Sequence, residues 1–350
     1  MWRVSVRDLQ WRRRPFVIAL LATGLIFAMS LLMSGSVTGL RDADHRIIDL
    51  IGADSWIVAT GAAGPFTAST AVPAAAADAV AALPGVTKAD PVALLHSTAR
   101  LPNVKDVNVI GYRSGGLASP KVSSGRTVTK PGETVADTKL KLKVGQEITL
   151  GGHPLRVVGL ASKVTYYFGT PTLFVDLADA QAIYFAGQPL AMAIVTKGVP
   201  ASAAVPAGLS VVSPTQARAD LARLLKSSNQ TIGFLNGLLW IVAAGIIGSI
   251  VYLSVLERTR DFAVLKATGA SNRALLGGLA IQAVILSALA AVVAALLAPV
   301  LAKGFPFAVE ITLRSYVTML VVALTVGLLA SLAGLRRAVT VDPALAFGGG

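Results

Sequence analysis

Apolar residues gather in four long runs along this chain, and the stretch between the first two has a different, shorter rhythm. Residues 15–40 carry no charge. That is longer than the roughly 20 residues a membrane-spanning helix needs and far longer than the roughly 7–15 of a signal-peptide core. A first membrane helix is expected over 16–37. Beyond it, TGLRDADHRIIDLI keeps helical spacing, with Leu40, Ile47, Ile48 and Ile51 on one stripe and Gly52 placed to cap the end. Residues 16–52 thus read as one segment, a spanning helix continued outward as a stalk.

Residues 53–212 change to short β-rich pieces: SWIVA at 55–59, VNVIGY at 107–112, EITL at 147–150, LRVVGL at 155–160, TLFVDL at 172–177 and MAIVT at 192–196. Gly151-Gly152 between two of these runs signals a hairpin. Helices are expected over VPAAAADAVAAL, before Pro84-Gly85, and over DLADAQAIYF around 176–185. Mixed strands and helices predict an α+β domain. The uncharged windows 55–77 and 198–217 read as loops and edges, because their Pro, Gly, Ser and Thr residues would leave backbone groups unsatisfied in lipid.

Ser213-Pro214-Thr215-Gln216 is a helix start, with Ser at the N-cap, Pro at the first helical position and Gln at the third. Residues 227–256 are then uncharged. A single helix over 213–256, on the order of 60 Å long at 1.5 Å per residue, would carry the chain from the outer domain back through the membrane. A third span is expected over 274–302 and a fourth over 315–335. The predicted fold class is an α-helical membrane protein of four transmembrane helices, with a large α+β extracytoplasmic domain between helices 1 and 2.

Composition supports this: 54% of residues are hydrophobic and only 14% charged. The net charge of +13 lies largely beside the apolar runs, where it sets topology and meets anionic lipid, and no aromatic-interleaved basic patch suggests nucleic acid. Residues 1–15 hold five arginines against Asp8, with Trp2, Val6 and Leu9 on one stripe continued by Phe16, a cytoplasmic amphipathic helix. Together with loop 257–273 and tail 336–350, these segments carry eleven basic and four acidic residues. Both termini are therefore placed in the cytoplasm of a multi-pass protein of the bacterial plasma membrane. The absence of cysteine excludes disulfides, thiolate metal sites and cysteine nucleophiles.

Candidate chemistry is sparse. No Gly-Lys dipeptide occurs, so the P-loop pattern is absent. His45, His96 and His153 are far apart and show no metal-ligand spacing. No catalytic residue, metal ligand or cofactor-binding residue is assigned, and the chain is not read as an enzyme. The spans hold no Asp, Glu, Lys, Arg or His, which disfavours an ion-coupled carrier. Asn236 and Gln282 read as interhelical hydrogen-bonders in preference to a substrate site. Small residues at four-residue spacing, Gly233 with Gly237 and Ala244 with Gly248, offer a dimer seam on helix 2, the alternative being packing within one subunit. Gly327 with Ser331 and Ala330 with Gly334 do the same on helix 4.

The stretch between helices 2 and 3, ERTRDFAVLKATGASNR, is longer than a connector needs. Phe262, Val264 and Leu265 offer an apolar face rimmed by Arg258, Arg260 and Lys266, which suits a protein groove or a lipid surface equally. The segment resembles the cytoplasmic coupling loop of the FtsX/MacB family of ABC transporter permeases. Glu257, Arg258, Arg260, Phe262, Ala263, Val264, Leu265, Lys266, Ala267, Gly269 and Ala270 fit that family's pattern; Asp261 stands where Glu is usual, Thr268 where an apolar residue is usual, and Gln282 where Glu is frequent. The likeness extends through LIGADSWIV, LPGV, SSGRTV, PGETVA, KVGQEITLGGHPLRVVGL and DPALAF.

The resemblance implies a permease subunit that dimerises, most simply as a homodimer, and pairs with two ABC ATP-binding subunits. ATP and Mg would be held by those partners, not by this chain. Helices 1 and 2 would transmit nucleotide-driven closure to the outer domain, for export, extraction or mechanotransmission acting on an extracytoplasmic protein, peptide or lipid. A membrane receptor with a ligand-binding outer domain is the alternative.

Overall fold

The computed structural model describes residues 13–339 except 69, 102–103, 258, 260–262, 265–267, 269–270 and 305–308. The chain divides into two compact units, Leu40–Ser228 and Met1–Gly39 with Asn229–Gly350.

Within Leu40–Ser228 the described residues form a ten-stranded mixed sheet. Its strands are β1 (Ser55–Ala59), β3 (Val86–Arg100), β4 (Val104–Tyr112), β5 (Val122–Gly125), β6 (Glu133–Asp137), β7 (Glu147–Leu150), β8 (His153–Ala161), β9 (Thr172–Asp176), β11 (Ala193–Gly198) and β12 (Leu209–Val212). The order is β12-β1-β11-β3-β4-β9-β6-β8-β5, with β7 beside β3 and β8. Two short strands, β2 (Val72–Pro73) and β10 (Leu190–Ala191), pair separately. The β4–β9 and β6–β8 pairings are parallel. Gly151 and Gly152 close the β7–β8 hairpin at φ of +55° and +86°, values that L side chains rarely adopt.

Alternation along the strands gives the sheet two apolar faces. Ile57, Val109, Leu155 and Leu173 share a core with Ala77 and Val80 of α2 (Ala76–Ala81) and Leu177 and Ala180 of α3 (Leu177–Tyr184). On the other face Trp56, Val58, Ile110 and Phe174 pack with Ile47, Ile48 and Ile51 of α1 (Arg13–Ile51) and with Ala217 and Leu221 of α4 (Pro214–Leu224). The stripe read as an outward stalk is thus part of the sheet unit, because its isoleucines are fully buried there. The expected Gly52 cap is present at φ +61°, its N–H donating to the Ile48 carbonyl at 3.0 Å.

The expected capping box starts α4: Ser213 Oγ accepts from Gln216 N at 3.2 Å and Ser213 N donates to Gln216 Oε1 at 2.8 Å. The single helix expected from there to Leu256 is interrupted, however. Leu225 caps α4 at φ −90° and ψ −6°, and α5 (Lys226–Glu257) begins after it. The cause is local: Leu225 N bonds back to Ala222 O in a tighter turn, and the following Lys-Ser-Ser-Asn run includes residues whose side chains compete for backbone partners.

The second unit is helical. Beside the first part of α1 and α5, it holds α6 (Asn272–Ala302) and α7 (Leu313–Val339). Among the described residues, four helices are long and apolar enough to cross a membrane, over Phe16–Ile51, Lys226–Glu257, Gly277–Ala302 and Leu313–Leu332. Phe27, Leu31, Ile247, Val251, Leu279, Leu286 and Ala323 form its core. Polar side chains pair helix to helix: Trp240 Nε1 donates to Ser30 Oγ at 3.0 Å, Asn236 Nδ2 to Ser34 Oγ at 3.4 Å and Gln282 Nε2 to Ser254 Oγ at 3.2 Å. Asn236 and Gln282 therefore join helices. Gly327 is buried, and a Cβ there would run into the Ser287 hydroxyl and lie 3.0 Å from the Ala283 carbonyl. With Ala330 and Ser331 also buried, the small residues of helix 4 serve packing within the chain. Gly334 has a described backbone only.

Candidate functional site

The stretch with the strongest sequence signal joins α5 to α6. Glu257 is the last residue of α5, and the Thr259 hydroxyl donates to the Leu256 carbonyl at 2.6 Å, extending the helical path. Ala263 is fully buried, whereas Val264 is 47% exposed. Thr268 donates to the Val264 carbonyl from its backbone N at 2.9 Å and from its hydroxyl at 3.1 Å. Arg258, Arg260, Asp261, Phe262, Leu265, Lys266 and Gly269 lie outside the described residues, as do Ala267 and Ala270. Of the described residues, Val264 faces outward and Ala263 is tucked inward.

The four small residues proposed as a seam do not share one open face. A Cβ at Gly233 or Gly237 would meet nothing within 4 Å. Ala244 packs against the helical core and Gly248 is buried, so both are occupied by packing within the chain. The outward stripe of α5 instead runs through Phe234, Leu238, Ile241, Gly245 and Tyr252, with Ile241 69% exposed. Helical pitch places these residues within about a third of a turn of one another.

Sequence reasoning did not single out the polar contacts that fix α1 and α4 to the sheet. Asp44 of α1 is 5% exposed, and its Oδ1 accepts from Tyr167 N at 3.0 Å. Tyr167, Phe168 and Gly169 are successive left-handed residues at φ of +47°, +59° and +71°. Two non-glycine residues in this region cost energy, and strain of this kind persists only where surrounding contacts hold it. Asp49, the next acidic residue along α1, receives Arg218 Nη2 of α4 at 2.6 Å.

Asp220 of α4 is fully buried. Its Oδ2 accepts from Phe66 N at 2.9 Å and Thr67 N at 3.1 Å, and its Oδ1 from the Thr67 hydroxyl. A Cβ at Gly64 would collide with this carboxylate, so the loop must carry glycine to approach it. The helix that precedes α5 is thereby clamped to the 64–67 loop. An amphipathic reading of α4 hides this, since Asp220 looks like any solvated acid.

Close by, Phe66, Leu94, His96, Asn108, Tyr166 and Leu221 are among the residues lining a cavity of 180 Å³. His96 lies 3.3 Å from Asn108 Oδ1 and stands edge-on to Tyr167 at 5.3 Å between ring centres. Asn108 is fixed in turn by the Tyr166 and Thr170 carbonyls at 3.0 and 3.1 Å. Among the described residues no three His, Cys, Asp or Glu side chains gather as a metal site would need.

Two family profiles match successive parts of the chain. One, described as the MacB-like periplasmic core domain, matches residues 16–209, and the other, the FtsX-like permease C-terminal, matches 233–343. The chain belongs to the FtsX/MacB family of ABC transporter permeases. An "Uncharacterized ABC transporter permease" of Mycobacterium bovis is 42% identical to this permease over 346 residues, covering 99% of each chain. Another from Mycobacterium tuberculosis is 41% identical over the same length and share. Among solved structures, the periplasmic region of MacB from Actinobacillus actinomycetemcomitans is similar at 13% identity and a TM-score of 0.38, covering 50% of the permease and 95% of that region. Both the stretch between α5 and α6 and α5 from Gly233 onward fall inside the FtsX-like match.

Proposed function

We propose that this permease is the membrane subunit of an ATP-driven mechanotransmission machine whose ATPase is a separate chain. The observation that carries the reading is the stretch Glu257–Ala270, which fits the family's coupling-loop pattern at eleven positions and follows a membrane helix directly. The chain has no P-loop pattern of its own, so ATP and Mg belong to two partner ATPase subunits. The loop faces the cytoplasm of a bacterial plasma membrane, as do both termini. Two copies of the permease pair through α5, with Gly233 and Gly237 at the contact.

In this reading, nucleotide-driven closure of the ATPase pair displaces the coupling loops. Helices 1 and 2 carry the displacement to the sheet unit on the opposite side. The contacts within the sheet unit support that role: Asp44 ties α1 to the Tyr167 turn, Asp220 ties α4 to the 64–67 loop, and Asp49–Arg218 joins α1 to α4. The extracytoplasmic client is a protein, peptide or lipid acted on by the sheet unit.

Copurification from native membranes tests the assignment. The full chain is expected to retain a P-loop ATPase, and Phe262→Asp and Lys266→Glu to lose most of it. A stable complex in both variants removes the coupling role from this loop. A chain that retains no ATPase under any condition, yet binds a ligand through its sheet unit, is a receptor instead.

A further inference from the structure

The charge of the sheet unit is concentrated at one end. Leu40–Ser228 holds 18 basic and 13 acidic residues, of which eight basic and three acidic lie between 121 and 163. Outside that segment the count is ten of each, so the entire excess sits on β5 to β8. Those strands are neighbours at one edge of the sheet. Two of the three acids there are already committed. Glu133, 4% exposed, is held by Arg126 through Nη1 at 2.7 Å and Nη2 at 2.5 Å, and Asp137 is fully buried with Lys139 N donating to it at 2.9 Å.

A cleft of 480 Å³ opens in this end, lined by Arg126, Lys130, Glu133, Val144, Gly145 and Arg156 among others. A built turn holds Arg126 and carries Lys130. Glu133 accepts from Thr129 N at 3.1 Å, Arg126 Nη1 donates to Thr129 Oγ1 at 2.9 Å, and Gly132 N donates to Asp179 at 2.8 Å. Lys130 sits on that turn. Arg156 extends from β8, and among the described residues neither it nor Lys130 makes an ion pair. Glu147, opposite Arg156 on β7, is exposed and does not line the cleft. The lining carries a net charge of about +2, since Glu133 cancels Arg126. Exposed Lys143 directly precedes the lining residue Val144, and exposed Lys141 lies two residues before Lys143, their chain pinned by buried Leu140 and Leu142.

We propose that this cleft binds a phosphate-bearing ligand, seated between Lys130 and Arg156. A phosphate monoester carries about −1.5 to −2 charge and a phosphodiester a single negative charge; the uncompensated lining attracts either, and a guanidinium recognises it through paired N–H donors. The phosphate comes from a soluble ester or from an anionic lipid headgroup, and the experiment separates the two. Nothing in this inference depends on coupling to an ATPase.

The test uses the full chain in phosphatidylcholine nanodiscs, with inorganic phosphate and glycerophosphoglycerol as soluble probes. A second arm replaces part of the lipid with phosphatidylglycerol. Hydrogen exchange is expected to slow over 130–133 and 144–146, in the first arm for a soluble source and in the second for a lipid one. Lys130→Gln with Arg156→Gln, both exposed positions that need not disturb folding, is expected to weaken the binding by about tenfold or more. The charge-matched pair Lys105→Gln with Arg223→Gln is expected to leave it unchanged. Protection in neither arm, protection unaffected by the cleft pair, or equal loss in the control pair each overturns the proposal.

Discussion

The Asp44 carboxylate and the Tyr167 backbone N–H meet at 3.0 Å across 123 residues of sequence. One belongs to the helix that begins in the membrane unit and the other to a strained turn of the sheet unit. The contact fixes α1 against a loop whose left-handed residues need an external partner to hold them.

Replacing Asp44 with Ala leaves the Tyr167 N–H without its acceptor in a largely buried place. The expected cost is about 1–3 kcal/mol, read as a lower unfolding midpoint of the sheet unit and faster hydrogen exchange at 165–170. Asp44→Asn keeps an acceptor oxygen and is expected to lose less. Equal loss in both variants would show that the charge, not the hydrogen bond, matters.

Asp49 and Arg218 form a short pair, but Asp49 is 62% exposed. An exposed pair contributes about 0–1 kcal/mol, so Arg218→Ala is expected to leave the unfolding midpoint nearly unchanged. If the pair transmits motion, Arg218→Asp loses ATP-dependent function, and Asp49→Arg added to it restores part of that loss. A failure of the exchange to restore anything would confine the pair to a passive surface contact.

Glu133 gives a pH dependence with a defined sign. The Arg126 guanidinium, and after it the Thr129 N–H and hydroxyl, hold its carboxyl down from 4.5 to about 2. A depressed carboxyl contributes stability that is fully present above the unfolded value and lost as pH falls through the folded one. The difference in melting temperature between the wild-type chain and Arg126→Gln is expected to be constant above about pH 5 and to shrink as the pH falls toward about 2. A gap that stays constant down to that pH would contradict the assignment.

Gly327 has no room for a side chain beside Ser287 and Ala283. Gly327→Leu is expected to destabilise the helical unit by about 1–3 kcal/mol through overpacking, with Gly327→Ala milder. Thermal unfolding in detergent measures both. A leucine variant as stable as wild type would mean that α6 and α7 can separate freely.

Part of the fold was legible because it follows from local pattern. SWIVA is β1 residue for residue, the Ser213 capping box is present, and Gly151-Gly152 closes its hairpin. The longest strand, β3, escaped the reading, since VTKADPVALLHSTAR mixes charges and a proline with apolar residues. Pairing with β11, β4 and β7 along its length makes it a strand regardless. The break at Leu225 escaped it too, because apolar periodicity carries no sign of a single tight turn.

The sequence by itself determined the four apolar helices, the sheet-rich insertion after the first and the family pattern between the second and third. Those depend on hydropathy, spacing and residue identity within a few turns of chain. Only the tertiary structure decided which polar groups fix helices to one another and to the loops of the sheet unit, and where the basic residues collect. Asp49 and Arg218 are 169 residues apart, and Lys130 and Arg156 approach one cleft only because β6 and β8 lie side by side. Contacts of that kind form when distant segments pack together, and no local property of either segment encodes the partner.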